Sequence, residues 1–362
     1  IYSYYTQMGI NLIFGLLIIY LSIVEKNIVY GILGILWIIT PMIMWKISKQ
    51  EKEKDILEEL KPNEKEEIKQ IAIKTWQYFK EYLTKENNYL ITDNYQEDRV
   101  SKIVNRTSST NIGLSLLAVI SAYDLKQIEL EEALEYLSNI LDTISELPKW
   151  NGHLYNWYQI KTKEPLHPRY ISTVDSGNFI GYLYTVKSFY IEILEKEDIN
   201  KENILSKIKL IDYIIQNTDF SILYSKEHQI FSIGFNVEEN KLTDSYYDLL
   251  ASEARQASLI AIAKKDVPVK HWNALSRTLT ILGKHKGLIS WSGTSFEYLM
   301  PNINIPSYKG SLLNESCKFM IMSQLEYAKK LQLPWGISEA AFNLKDLQGN
   351  YQYKAFGIPW LG

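Results

Sequence analysis

A single cysteine, Cys317, in 362 residues excludes an intramolecular disulfide framework and a thiolate zinc cluster. The five histidines, at 153, 167, 228, 271 and 285, show no metal-ligand spacing. No glycine-rich phosphate cradle follows a strand pattern, so neither a metal nor any other cofactor is expected. Charge of one sign is lacking too. With 39 basic and 42 acidic residues the net charge is −3, which leaves no basic footprint for nucleic acid. Ser338, in Gly336-Ile337-Ser338-Glu339-Ala340, is followed by no histidine, so the nucleophile-elbow order of an α/β-hydrolase is absent. The chain does not begin with Met and shows no cleavable leader, and it reads as a piece of a longer polypeptide.

What is present is a 46% apolar composition, enough for a sizeable core, and 46 aromatic residues (11 Phe, 9 Trp, 26 Tyr). Many of these rings fall in loops. They suit a surface that receives a ligand with apolar and hydroxylated faces, or they fill a large helical core; both readings stay open. At the N-terminus, residues 1 to 24 carry no charge, and a second uncharged run extends from Ile28 to Trp45. The spacing predicts a transmembrane helical hairpin over 1–47, the alternative being a buried helix pair containing Pro41. Lys46, Lys49, Lys52 and Lys54 place both the N-terminus and everything after residue 46 on the cytoplasmic side. Residues 48–69 read as a charged helical linker, broken near Pro62 and Asn63.

Beyond it, helical patterns occupy 64–85, 109–124, 129–147, 176–195, 200–217, 244–264, 268–282 and 314–332, with no run of alternating strands. Long loops rich in Gly, Trp, Tyr, Asn and Ser separate them, and such loops carry function. The expected fold is all-α, a toroid of helical hairpins with its functional loops gathered at one end. Across the domain expected at 70–362, eight or nine helices fall short of the twelve of a complete toroid of six hairpins.

Three glutamates stand out. Glu253, in Asp-Ser-Tyr-Tyr-Asp-Leu-Leu-Ala-Ser-Glu-Ala-Arg (244–255), falls in a helical apolar pattern with no cation three or four residues away. Glu339 reads as the start of a helix between Trp335 and Phe342, again without a local cation, and Glu297 lies between Phe296 and Tyr298. A carboxylate against apolar surface without a partner has a raised pKa, as a general acid needs. Pairing with a distant Arg is the alternative for each. Carboxyl groups among Trp, Gly and Ser in convergent loops are what glycoside chemistry requires. His153 and Asp175 are further ligand candidates, with a structural His and a capping Asp as alternatives.

Several segments together resemble the central region of cyclic β-1,2-glucan synthases. They are Arg-Thr-Ser-Ser-Thr-Asn-Ile-Gly-Leu (106–114), Gly-His-Leu-Tyr-Asn-Trp-Tyr (152–158), Pro-Arg-Tyr-Ile-Ser-Thr-Val-Asp-Ser-Gly-Asn (168–178), Phe-Ser-Ile-Gly-Phe-Asn-Val (231–237), the 244–255 stretch, and Gly-Asn-Tyr-Gln-Tyr-Lys-Ala-Phe-Gly (349–357). The resemblance implies an (α/α)6 toroid similar to β-1,2-glucanases. It implies a bacterial inner-membrane protein with flanking domains on a longer polypeptide, whose catalytic domain faces the cytoplasm. The implied activity is a transglycosylase that closes linear β-1,2-glucan into a ring by a retaining mechanism; a hydrolase on the same fold and a non-catalytic glucan-binding module are the rivals. Carried over by motif, Glu253 is the acid/base and Glu339 the nucleophile. Glu297, Asp175, Tyr246, Tyr247, Arg255, Trp291 and Trp335 then bind substrate, with His153, Tyr155, Trp157 and Arg169 from the matching segments. The resemblance also implies that the acid works through a substrate hydroxyl, which would set the carboxylates further apart than the ~5.5 Å of a direct retaining pair.

Overall fold

The computed structural model describes residues 2–48, 60–99, 101–196, 200–283, 285–345, 347, 351–354 and 356–362. It divides into two compact units, Ile1–Pro62 and Asn63–Gly362. Half of the expected charged linker, 49–59, lies outside the described residues.

In the first unit the apolar runs form helices Gly9–Val24 and Ile28–Ile47. Asn27 starts the second by accepting from Val29 N at 3.0 Å. Gly15 and Gly34 set the crossing: a Cβ on Gly15 would sit 2.9 Å from the Gly34 carbonyl, and one on Gly34 2.8 Å from the Gly15 carbonyl. Only glycine allows two helix backbones this close. Outside that contact the surface is apolar and exposed, including Ile10, Leu16, Ile23, Ile32 and Ile35. Among the described residues one helix, Ile28–Ile47, is long and apolar enough to cross a membrane; Gly9–Val24 is apolar but shorter.

The second unit begins with the helix Pro62–Tyr82, so the boundary expected at 69/70 falls inside one continuous helix. Then come Ser109–Asp124, Leu130–Glu146, Thr173–Leu194, Lys201–Asn217, Arg255–Ala263, Lys270–Ala274, Ser295–Leu299 and Leu312–Leu331. Serines cap several of these helices, Ser108 by accepting from Asn111 N and Ser172 by accepting from Asp175 N. Short connections at 125–129, 195–200 and 264–269 alternate with long ones at 83–108, 147–172 and 218–254.

The Thr173–Leu194 helix is buried on nearly every side, between Ser109–Asp124, Lys201–Asn217 and Arg255–Ala263. Two glycines permit this. A Cβ on Gly113 would meet the Tyr182 ring at 2.6 Å, and one on Gly177 would lie 2.3 Å from Ala257 Cβ and 2.4 Å from its Cα.

Three expectations need correction. Small sheets do form, and they tie the long loops together: Arg106–Thr107 pairs with Tyr158–Gln159, and Tyr170–Ser172 with Gly234–Asn236, which in turn pairs with Lys241–Leu242. The pattern at 268–282 is helical only over Lys270–Ala274, because Leu279–Leu282 turns at Gly283 (φ +58°) and pairs with His285–Leu288. The pattern at 244–264 is helical only from Arg255, since the backbone before it finds partners outside a helix. Ile233 N donates to Ser245 O, Tyr247 N to Phe231 O, and Leu250 N to Ser276 O. Ladder bonds of this kind satisfy the same groups that a helix would.

Gly177→Val should cost at least about 2–3 kcal/mol in denaturant unfolding, because the branched side chain must push two helices apart. Retention of the wild-type midpoint would mean that this helix contact is not tight.

Candidate active site

Glu253 occupies the turn immediately before the Arg255–Ala263 helix, at the end of the extended 243–250 segment. Ser252 shapes that turn by accepting from Ala254 N at 3.2 Å. Arg255 locks it. Its side chain, 4% exposed, donates to the carbonyls of Ser252 and Glu297 at 3.0 Å and of Tyr298 at 2.5 Å. Burial pulls its pKa down to about 10. One guanidinium fork thus fastens the Glu253 turn to the Ser295–Leu299 helix, a structural role for a residue expected to bind substrate.

Glu297 is likewise structural. It is 4% exposed and forms a capping box with Thr294. Its carboxylate accepts from Ser290 Oγ at 2.6 Å and from the backbone amides of Ser292 and Thr294 at 3.1–3.2 Å. These donors occupy the oxygens a substrate would need. The charge of Glu297 nevertheless reaches Glu339.

Glu339 sits at the head of a strand, Ala340–Lys345, paired with Tyr351–Lys354, and not at the start of a helix. Gln324 fixes the loop leading to it: Nε2 donates to Ile337 O at 2.6 Å, while Oε1 accepts from Gly336 N and Ile337 N. The Glu339 carboxylate accepts from Tyr353 OH at Oε2 and, at 3.5 Å, from Thr294 Oγ1 at Oε1. Its pKa is pushed up to about 7, by burial first and by Glu297 second, with the hydroxyls of Thr294 and Ser292 opposing.

Glu253 is also raised, well above the ordinary carboxylate range, by burial and then by the charges of Glu339, Asp175 and Glu297. Asp175, in the first turn of Thr173–Leu194, accepts from Thr110 Oγ1 at 2.6 Å and is raised by burial. With its amide nitrogen turned toward Asp175, Asn156 donates to Oδ2 at 3.2 Å and accepts from Trp157 Nε1 at 3.0 Å. Tyr247 lies among these groups. Its phenol is raised by burial and by Glu253, Asp175, Tyr170 and Glu339, and its ring meets Trp291 at 5.7 Å. Glu253, Glu339, Asp175, Tyr247 and Trp291 therefore form one cluster.

Trp291 (43% exposed) and Trp335 (57% exposed), the latter in the loop before Glu339, can offer ring faces to a ligand. A cleft of about 960 Å³ lies beside the cluster, lined by Asp93, Tyr95, Arg106, Trp157 and Tyr353 among others. Arg106 lies over the Trp157 ring at 4.2 Å and donates to Asp93.

The remaining expected residues lie elsewhere. His153 is 1% exposed, its ring nitrogens engaged by Ser176 Oγ and Asp219 O at 2.9 Å, and burial takes its pKa down to about 4. It is a neutral core histidine, a correction to its expected binding role. Tyr155 is buried and, with Arg169, borders a separate pocket of about 570 Å³. Tyr246 packs on His228, ring centroids 4.3 Å apart. Thr110, Asp93, Gln324 and Tyr353 were not singled out from the sequence. Thr110 and Tyr353 nonetheless fall inside the 106–114 and 349–357 segments.

No protein-family profile matches the chain. A cyclic β-(1,2)-glucan synthase, NdvB of Rhizobium meliloti (strain 1021), is 31% identical over 91% of this chain. The chain is homologous to a segment of a cyclic β-1,2-glucan synthase. It spans 16% of that relative's length. Among solved structures, the endo-β-1,2-glucanase of Chitinophaga pinensis, in complex with sophorotriose and glucose, superposes with a TM-score of 0.65 at 14% identity, over 82% of this chain and 75% of that one. The β-1,2-glucanase of Parabacteroides distasonis gives 0.62 at 12% identity, over 78% and 45%. The endo-β-1,2-glucanase of Talaromyces funiculosus, in complex with sophorose, gives 0.60 at 11% identity, over 81% and 70%. The fold is the (α/α)6 toroid.

The raised pKa of Glu339 has a stability consequence. Its folded value, about 7, lies above the ordinary 4.5, so the folded state holds the proton more tightly than the unfolded chain. Stability from this group is present below pH 4.5 and is lost as pH rises to about 7. Glu339→Gln should therefore gain stability relative to wild type between pH 5 and pH 8, by about 1–2 kcal/mol after allowing for partial exposure. A difference independent of pH would mean that Glu339 titrates normally.

Proposed function

We propose that this chain is the transglycosylase part of a cyclic β-1,2-glucan synthase, closing linear β-1,2-glucan into rings with retention at the anomeric carbon. The observation that carries this reading is the pair of carboxyl groups, Glu253 and Glu339, in one half-buried cluster, both raised in pKa by burial and by neighbouring carboxylates. Two carboxyls in one site are how glycoside chemistry divides acid from nucleophile.

In this reading Glu253 carries the proton and Glu339 acts as the carboxylate. Glu253 delivers that proton to the glycosidic oxygen, directly or through a substrate hydroxyl, as the Glu339 carboxylate attacks C1 and the C1–O bond breaks. Esterified Glu339 no longer bears charge, so its field at Glu253 vanishes just when Glu253 has become a carboxylate. Glu253 can then take the proton of an incoming hydroxyl. The 2-hydroxyl at the far end of the same chain attacks C1, the ester bond to Glu339 breaks, and the ring leaves without net consumption of water. Tethering gives that hydroxyl a high effective concentration. Aromatic walls at Tyr247, Trp291, Trp335 and Trp157 favour it over water.

The apolar faces of the helices at 9–47 support insertion in a membrane, with the lysines from Lys46 onward on the cytoplasmic side. The relative's greater length supports further domains on the natural polypeptide. A β-1,2-glucan hydrolase is the second reading, favoured by the toroid shared with endo-β-1,2-glucanases.

Incubation with linear β-1,2-glucan should yield products 18 Da lighter than linear chains of equal length, with no rise in reducing ends. A rise in reducing ends without such products would identify a hydrolase. Because Glu339 must ionise to attack, kcat/KM should rise with pH through about 7 and flatten above it. An acid limb near pH 4.5 would contradict the assignment of Glu339.

A further inference from the structure

Glu339 has an unusual requirement. It sits beside Glu297 and contributes to the fields at Glu253 and Tyr247, so every charge facing it is negative or becomes negative on ionisation. No cation approaches its carboxylate among the described contacts. Yet a nucleophile must be an anion with a defined orientation. Hydrogen-bond donors have to supply what a cation does not. Thr294 Oγ1 reaches Oε1 only at 3.5 Å, and the close donor is the hydroxyl of Tyr353 on Oε2.

The backbone dictates this contact. Tyr353 lies on the strand paired with the one that Glu339 opens, opposite Ala341 in the register. That hairpin is tied to the 93–98 loop, where Lys345 Nζ and Tyr351 OH both donate to Asp98 Oδ2 and Tyr351 N donates to Gln96 Oε1 at 3.4 Å. Tyr353 is 66% exposed and its ring forms part of the 960 Å³ cleft wall. An exposed ring with its hydroxyl turned inward onto a carboxylate contributes little to the core, so packing does not account for its position.

We propose that Tyr353 is a positioning residue for the nucleophile: its hydroxyl holds Glu339 Oε2, favours the ionised carboxylate, and leaves Oε1 as the oxygen that attacks C1. The catalytic half of this inference rests on the glycosyl-transfer reading given above; the effect of Tyr353 on Glu339 does not. Occupation of Oε2 fixes the carboxylate plane. The more loosely held Oε1 keeps electron density for bond formation.

The test compares the full chain in detergent with Tyr353→Phe and Tyr351→Phe. The Glu339 carboxyl is followed by infrared titration, its band being the one missing from Glu339→Gln. In Tyr353→Phe that carboxyl should titrate about one pH unit higher, a ten-fold change in proton affinity, while Tyr351→Phe leaves it in place. On linear β-1,2-glucan, the acid limb of kcat/KM should move up by the same amount and kcat fall on the order of ten-fold, with KM changed less than about two-fold. Unmoved titration in Tyr353→Phe overturns the proposal, whatever the activity. A moved titration in a protein that never turns over glucan upholds the Tyr353 contact and overturns the glycosyl-transfer reading instead.

Discussion

The structure depends on holding several like-charged carboxyl groups close together out of full contact with water. Burial raises Glu253, Glu339 and Asp175, the charge of Glu297 adds to the first two, and this arrangement costs folding free energy. The supports are correspondingly specific. Arg255 donates to the backbone carbonyls of Ser252, Glu297 and Tyr298, and to Asn302 Oδ1 at 3.4 Å. Gln324 grips the loop before Glu339, and the capping box at Thr294 saturates Glu297. Removing any of these would let the cluster relax toward solvent, where its proton affinities would return to ordinary values.

The toroid supplies the platform for these groups. The inner helix Thr173–Leu194 brings Asp175 to the loop end. The Arg255–Ala263 helix packs on it so closely at Gly177 that the turn bearing Glu253 has little freedom. Glu339 arrives differently, on a strand hairpin latched at Asp98. Glu253 is thus anchored beside the helical core, whereas Glu339 is carried by a surface element beside the cleft.

Much of this was legible in the sequence, and where it was not the reasons are local. The helix at 109–124 was readable to the residue because a serine cap and an unbroken apolar pattern agree. The apolar hairpin was plain from its lack of charge. The stretch 244–254 misled because Leu249, Leu250, Ala254 and Ala257 repeat at helical spacing, yet its backbone is taken by the neighbouring 231–233 and 276 strands, a tertiary effect invisible to periodicity. Glu339 misled in the same way. Both glutamates were picked out because no nearby residue could neutralise them, and that ground holds although neither lies within a helix. Arg255 and Glu297 were expected to bind ligand because of the family resemblance, and His153 as a histidine within a matching segment. Only the folded chain reveals that their polar atoms already have partners.

The most direct test of the account concerns Glu339 as nucleophile. Glu339→Gly, supplied with an aryl β-sophoroside and azide, should form the α-glycosyl azide, because azide enters the vacated face and attacks C1 from the side the carboxylate would use. Formation of the β-azide, or no adduct although the variant is folded and binds glucan, would contradict the assignment and with it the double-displacement mechanism.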